Sequence, residues 1–105
     1  MPEETNVISD EKLAEKLENS PAERVTKEYI LSRIAGKPTF IQVDGTVTIC
    51  HIKLDNGFSV RGESACVKAE NYDQEIGQKI SYENAFDKLW AFFGFMLAEN
   101  GTLKK

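Results

Sequence analysis

A chain of 105 residues with one histidine, two cysteines and three prolines has little of what several familiar chemistries require. A zinc site needs about four ligands at local spacing such as C-x-x-C. The soft ligands here are Cys50, His51 and Cys66, and adjacent residues on a strand point to opposite faces. The sequence therefore argues against a metal site, and no cofactor is expected. Basic residues are outnumbered 13 to 17, giving a formal net charge of -4. A nucleic-acid binder of the basic-patch kind needs a cationic footprint to displace counterions from phosphates, so a nucleic-acid partner is not expected. No apolar run approaches the roughly 20 residues of a membrane span, and the N-terminus lacks the cationic-then-apolar pattern of a secretory signal. Two cysteines without such a signal point to reduced thiols in a cytoplasmic protein. There is no G-x-G-x-x-G and no phosphate loop, so nucleotide-dependent catalysis lacks motif support. Gly62-Glu63-Ser64-Ala65-Cys66 approximates a nucleophile elbow but lacks its final glycine, and the chain is too short for that hydrolase scaffold.

What is present reads as one soluble globular domain, with 41% apolar and 29% charged residues in a chain long enough for a modest core. The charge is unevenly placed. Residues 1–24 carry seven acids against three bases, and the remaining residues hold ten of each sign. The expected division is an acidic, flexible N-terminal arm over residues 1–23 and a single α+β domain over 24–105. Within the arm, Ser9 can cap a short helix bearing Leu13 and Leu17. Two leucines give an isolated helix little to bury, and a solvated, frayed arm is the expectation.

In the body, Ser20-Pro21-Ala22-Glu23 is a capping box with proline at the first helical position. Thr26 offers a second cap, and Tyr29, Ile30 and Ile34 follow at helical spacing. The spacing predicts a helix from about Thr26 to Ala35, with a leading turn from Pro21, and Gly36 with Lys37-Pro38 as the stop. Thr39–Val43, Thr46–Leu54 and Phe58–Arg61 read as strands. Asp55-Asn56-Gly57 allows two hairpin registers. A three-residue loop pairs Leu54 with Phe58 and Ile52 with Val60. This places Cys50, Ile52, Leu54, Phe58 and Val60 on one buried face, and it is the register expected. Val47 and Ile49 have the opposite parity, which calls for a bulge or for cover on both faces. After Gly62 the chain is expected to leave the sheet.

Asn71 and Gln74 make a further cap pair. Tyr72, Ile76, Ile80, Phe86, Leu89, Trp90 and Phe93 then run close to a period of 3.6, predicting a long helix that ends at Gly94. Phe95-Met96-Leu97 would form a short strand or a packed tail. Gly77 inside this helix costs roughly 1 kcal/mol against alanine, so close approach of another segment is expected there. The order of elements indicates α+β: a small antiparallel sheet containing a β-hairpin, a short N-terminal helix, and a long C-terminal helix packed on one face.

Two groups of residues are candidates for function. Trp90, Phe92, Phe93, Phe95 and Met96 fall within seven positions. A helix against one sheet cannot bury them all, so they are the expected interface of a homo-oligomer or partner surface. Arg61, Ser64 and Asn71 are expected near the sheet exit and the helix N-terminus, where free N–H groups attract anions. Tyr72 and Trp90 would stack a base there. A thiol pair of Cys66 with His51 is the catalytic alternative, but no third group orients it, and no catalytic residue is assigned.

The blocks Arg24-Val25-Thr26-Lys27-Glu28-Tyr29-Ile30, Asn56-Gly57-Phe58, Gly62-Glu63-Ser64-Ala65-Cys66-Val67, Asn71-Tyr72-Asp73, Glu75-Ile76-Gly77, Glu83-Asn84-Ala85 and Leu89-Trp90 form a specific series. In that order they resemble the small tailed-phage protein family named for gene product 49 and gene 66 of two such phages. The likeness spans about residues 24–97 and leaves the acidic arm outside. It implies a phage or prophage product acting in the cytoplasm of the bacterial host, and it supplies no catalytic residues to carry over. The expected function is that of a small non-enzymatic accessory protein. It would inhibit a host defence or another host process by sequestering a signalling nucleotide or by binding a host protein. A homo-oligomeric adaptor and a small thiol enzyme are the alternatives.

Overall fold

The computed structural model describes residues 7–18 and 22–104. A helix over Asp10–Glu18 (α1) follows Ser9, whose hydroxyl accepts a hydrogen bond from the Lys12 N–H at 3.2 Å. It is a formed helix where a frayed arm was expected, yet it buries no residue. Leu13 and Leu17 remain 45% and 42% exposed.

Ser20 and Pro21 of the anticipated capping box lie outside the described residues. Ala22 to Thr26 are not helical, because the Glu23 carboxylate serves another end of the chain and accepts from the Leu103 N–H at 3.1 Å. The second helix covers Lys27–Arg33 (α2), with Thr26 Oγ1 accepting from the Tyr29 N–H at 3.0 Å. It ends two residues short of Ala35. Ile34 is drawn into extended backbone by an antiparallel bridge to Leu54, and Ala35 N–H donates to the Lys53 carbonyl.

Three strands follow, Thr39–Val43 (β1), Val47–Lys53 (β2) and Ser59–Ala65 (β3), in an antiparallel sheet of order β1-β2-β3. The β2–β3 hairpin has the three-residue loop. Ile52 pairs with Val60, Leu54 N–H donates to the Phe58 carbonyl at 2.7 Å, and Gly57 sits at φ 91° in the left-handed region that glycine adopts without steric cost. Two expectations fail at this hairpin. Phe58 is 46% exposed, because it lies at the end of the ladder and packs edge-on against Phe92. The chain also stays in the sheet beyond Gly62, with Glu63, Ser64 and Ala65 pairing with Ile49, Thr48 and Val47. Backbone pairing, which carries no side-chain signature, holds this polar segment. The β2 register runs unbroken, so no bulge reconciles the parity of Val47 and Ile49. They are half-buried on the outer face beside Ile41 and Val43, opposite the face that packs on the long helix.

A 3₁₀ turn at Ala69–Asn71 leads to a helix over Gln74–Asn100 (α3). Asn71 belongs to the turn. The cap is Asp73, whose Oδ1 accepts from the Ile76 N–H at 3.1 Å. The helix passes through Gly94 and ends at Gly101, so Phe95, Met96 and Leu97 are helical rather than a strand or tail. Its buried line is Gly77, Ser81, Ala85, Leu89 and Phe93, joined by Phe86. Ile76 and Ile80, expected inside, are 57% and 42% exposed. Small residues win the inward positions because helix and sheet nearly touch. A Cβ on Gly62 would stand 2.5 Å from the Ser81 carbonyl oxygen and closer still to the Ala85 nitrogen. A Cβ on Gly77 would meet Thr48 Oγ1 at 2.6 Å, which is the close approach anticipated there. The core is Ile30, Cys50, Ile52, Leu54, Val60, Ala85, Phe86, Leu89 and Phe93. Arg33 lies over the Tyr29 and Phe93 rings and pairs with Asp55 at 2.9 Å, closing the end of the core near the hairpin turn.

Candidate functional site

The sheet and helix separate the residues expected to bind an anion. Ser64, Asn71 and Tyr72 do come together, lining a small crevice of 80 Å³ with Thr46 and Cys66 at the start of α3. Tyr72 uses its hydroxyl on Thr48 Oγ1, 3.0 Å away, which fixes the ring at the crevice wall. The α3 N-terminus is already served by a carboxylate, that of Asp73, so negative charge is in place where an anion would sit. Arg61 belongs to the outer face of the sheet. It is paired opposite His51 and donates to Ser59 Oγ at 3.0 Å. Trp90 lies eighteen positions beyond Tyr72 along the chain and does not line that crevice. The five residues therefore form no single site.

The aromatic group divides as well. Phe93 is 3% exposed in the core, edge-on to Tyr29 with ring centroids 5.3 Å apart, and Met96 is half-buried against the same cluster. Phe93 is thus withdrawn from the surface, and Met96 keeps only part of its side chain there. Phe93 turns inward four residues after Leu89 on the same helix face, and the continuation of α3 past Gly94 turns Met96 toward the same cluster. Trp90, Phe92 and Phe95 remain exposed.

The thiols do not assemble with the histidine. Cys66 N–H bonds to the Thr46 carbonyl, so Cys66 sits opposite a position five residues from His51 along β2, roughly 16 Å at strand spacing. Cys66 Sγ lies 3.3 Å from the Lys68 carbonyl. Cys50 is buried beneath α3, and burial pushes its thiol up from its ordinary value, which disfavours the thiolate.

The surface that does gather polar and aromatic groups was missed in part. One flank of α3 carries Tyr82, Phe86 and Trp90 at i, i+4, i+8. Tyr82 and Phe86 centroids are 5.8 Å apart, and Phe86 and Trp90 are 6.3 Å apart in a T-shaped arrangement. These rings wall an open cleft of 330 Å³ with Lys27 at the start of α2, Lys79, Glu83 and Asp87. A second, shallower cleft of 490 Å³ adjoins it through Lys79 and Tyr82 and reaches Pro38 and Phe40 at the β1 edge. Lys79 Nζ lies 2.8 Å from Glu83 Oε2, a hydrogen bond that moves the lysine upward from its usual value. Burial, with a smaller contribution from Cys50, raises Tyr82. The i, i+4 spacing of Tyr82, Phe86 and Trp90 was the signal in the sequence. Lys27 could not be found that way, because only the packing of α2 on α3 brings it there.

Sheet, long helix and cleft define a small α+β protein with an open, aromatic-walled cleft on one flank of α3. Among the described residues no helix is long and apolar enough to cross a membrane. The chain belongs to the phage protein (N4 Gp49/phage Sf6 gene 66) family, whose model matches residues 25–100. No curated protein and no solved structure matches it.

Proposed function

We propose that this phage protein is a non-enzymatic accessory protein that acts in the cytoplasm of the infected bacterium by binding. It sequesters a small anionic nucleotide in the cleft on the flank of α3 and so blunts a host defence or another host process. The observation that carries this reading is the cleft itself: three aromatic rings in series with Lys27 and Lys79 at their border. A base stacks on Trp90 or Tyr82, and the Lys27 ammonium faces its phosphates, with Lys79 joining it only by leaving Glu83. The volume of 330 Å³ falls in the range of small-ligand sites. Glu83 and Asp87 set the selectivity, because they repel a polyanion and leave room for one or two phosphates.

Trp90 is the only tryptophan, so its fluorescence reports this surface alone. The test is a thermal-shift and tryptophan-fluorescence titration against a panel of cyclic and linear nucleotides. Binding at a hundredfold excess over Kd adds about 2.7 kcal/mol, a rise in Tm of about 10 °C for a domain of this size. Trp90 emission should change in parallel, and Trp90→Ala, which has no tryptophan to report, should lose the thermal shift. No shift and no change in emission across the panel removes the nucleotide reading.

A second reading is favoured by Phe92 and Phe95, which are 48% and 69% exposed, with Phe92 edge-on to Phe58 at the hairpin end. In it the protein binds a host protein through this apolar patch. Phe95 is exposed and does not line the cleft, so Phe95→Asp should then abolish the biological effect while leaving Tm unchanged. Retained effect in that variant removes the reading.

A further inference from the structure

The two edges of the sheet are finished differently. On β3 two central outward carbonyls are occupied by side chains of α3: Lys88 Nζ donates to the Arg61 carbonyl at 2.6 Å and Asn84 Nδ2 to the Glu63 carbonyl at 2.8 Å. Those two bonds obstruct the middle of that edge. The opposite edge, β1, reads Thr39-Phe40-Ile41-Gln42-Val43 and has no charge, no proline and an unbroken register with β2. Charges, prolines and bulges are the devices that sheets ordinarily use to keep an edge from pairing, and here the nearest proline, Pro38, stands just before the strand.

The hydrogen-bond phase shows which groups β1 offers. Leu54 N–H bonds toward Phe58 and Cys66 N–H toward Thr46, so the even-numbered positions of β2 face β3 and the odd-numbered ones face β1. Thr39, Ile41 and Val43 therefore bond inward. Phe40 and Gln42 direct their N–H and C=O groups outward. Ile41 is 53% exposed. Lys37 precedes the strand and Asp44 follows it, both exposed.

We infer that β1 pairs antiparallel with β1 of a second copy about a two-fold axis at Ile41, making one continuous six-stranded sheet. In this register Phe40 bonds with Gln42 of the partner subunit, Ile41 stacks on its own symmetry mate, and Thr39 faces the partner's Val43. Lys37 then lies beside the Asp44-Gly45 turn of the partner at each end, so opposite charges meet twice and no like charges are opposed. Parallel pairing would instead set Lys37 beside Lys37. Pro38 and Phe40 also line the shallow cleft that joins the aromatic one. The dimer thus brings the two clefts toward each other across the axis. The inference deepens the binding reading by naming where a second copy attaches, and it rests on that reading only in giving the clefts a ligand.

A pair of five-residue strands is a small interface, so association in the micromolar range is expected. Sedimentation equilibrium of the full chain from about 5 to 200 µM should show a monomer–dimer equilibrium. Ile41→Lys and Ile41→Glu each place like charges across the axis and should weaken association about tenfold or more. An equimolar mixture of the two should restore it, because lysine then faces glutamate. In the unsubstituted protein the Phe40 and Gln42 amides should exchange with solvent more slowly as concentration rises, a readout that needs no variant. A wild-type monomer throughout, an undiminished Ile41→Lys dimer, an unrescued mixture, or unprotected amides in a dimer would each overturn the inference. The nucleotide titration is independent of these results, so either reading can fail without the other.

Discussion

Gly62 is the position where sheet and helix come closest, and Gly62→Ala probes that contact directly. The added methyl would stand 2.5 Å from the Ser81 carbonyl oxygen and nearer still to the Ala85 nitrogen, where ordinary contacts are about 3.5 Å or more. Both obstacles are backbone atoms of α3, and Ser81, Ala85 and Leu89 are fully buried, so no flexible side chain can yield. Overpacking of this kind costs typically about 1–3 kcal/mol. Alanine returns about 0.4–1 kcal/mol by restricting the unfolded chain. Because the helix must shift as a body, the upper end applies, and the net loss is about 2 kcal/mol. With a urea slope of about 1–2 kcal/mol/M, the midpoint should fall by about 1–2 M. Gly77→Ala is the internal control. Its methyl meets Thr48 Oγ1, a hydroxyl that can rotate away at the expense of its bond to Tyr72, worth about 1 kcal/mol. Helix propensity returns about 1 kcal/mol, so Gly77→Ala should be close to neutral. A Gly62→Ala midpoint within about 0.3 M of wild type, or a larger loss for Gly77→Ala than for Gly62→Ala, would refute the packing argument.

Two further outcomes follow from buried polar groups. Thr48 is 2% exposed and shares a 3.0 Å hydrogen bond with Tyr72. Thr48→Val and Tyr72→Phe should each cost about 1 kcal/mol, and the double variant should cost little more than either, giving a coupling of about 1 kcal/mol in urea denaturation; additive losses would deny the bond. Cys50 is held protonated by burial, so the folded protein keeps this proton where the unfolded chain begins to lose it, near pH 8.5. Its contribution is intact below that pH, and stability falls as pH rises through the window up to the raised thiol value. Tyr82 acts in the same direction at higher pH. Cys50→Ala should flatten the decline between about pH 8 and 10 relative to wild type, and equal slopes in the two proteins would refute the assignment.

Much of the fold was legible because local chemistry and tertiary packing agree. Thr39–Val43 is a strand, the Asp55-Asn56-Gly57 loop sets the β2–β3 register through one left-handed glycine, and Thr26 caps α2. Errors came where a local signal had a rival. Asp73 displaced Asn71 as the cap of α3, because the 3₁₀ turn used Asn71 first. Gly94 did not stop the helix, since glycine weakens a helix but needs a left-handed exit to end one, and that exit is at Gly101. The candidate site was legible only by half. Trp90 stood out as the lone tryptophan, but its neighbours in space are Tyr82, Phe86 and Lys27 rather than Arg61 or Asn71.

By itself the sequence determined the α+β class, the hairpin register, the existence of the long helix and the absence of any familiar catalytic motif, because periodicity, turn residues and spacing are local properties of the chain. Only the tertiary structure decided which face of α3 is buried. Hydrophobicity pointed to Ile76 and Ile80, but the distance between helix and sheet admitted Gly77, Ser81 and Ala85 instead. That choice turned Tyr82, Phe86 and Trp90 toward one flank and placed α2 and Lys27 beside them. The steric limit at Gly62, which no pattern in the sequence announces, is thus what sets the flank on which the aromatic cleft forms.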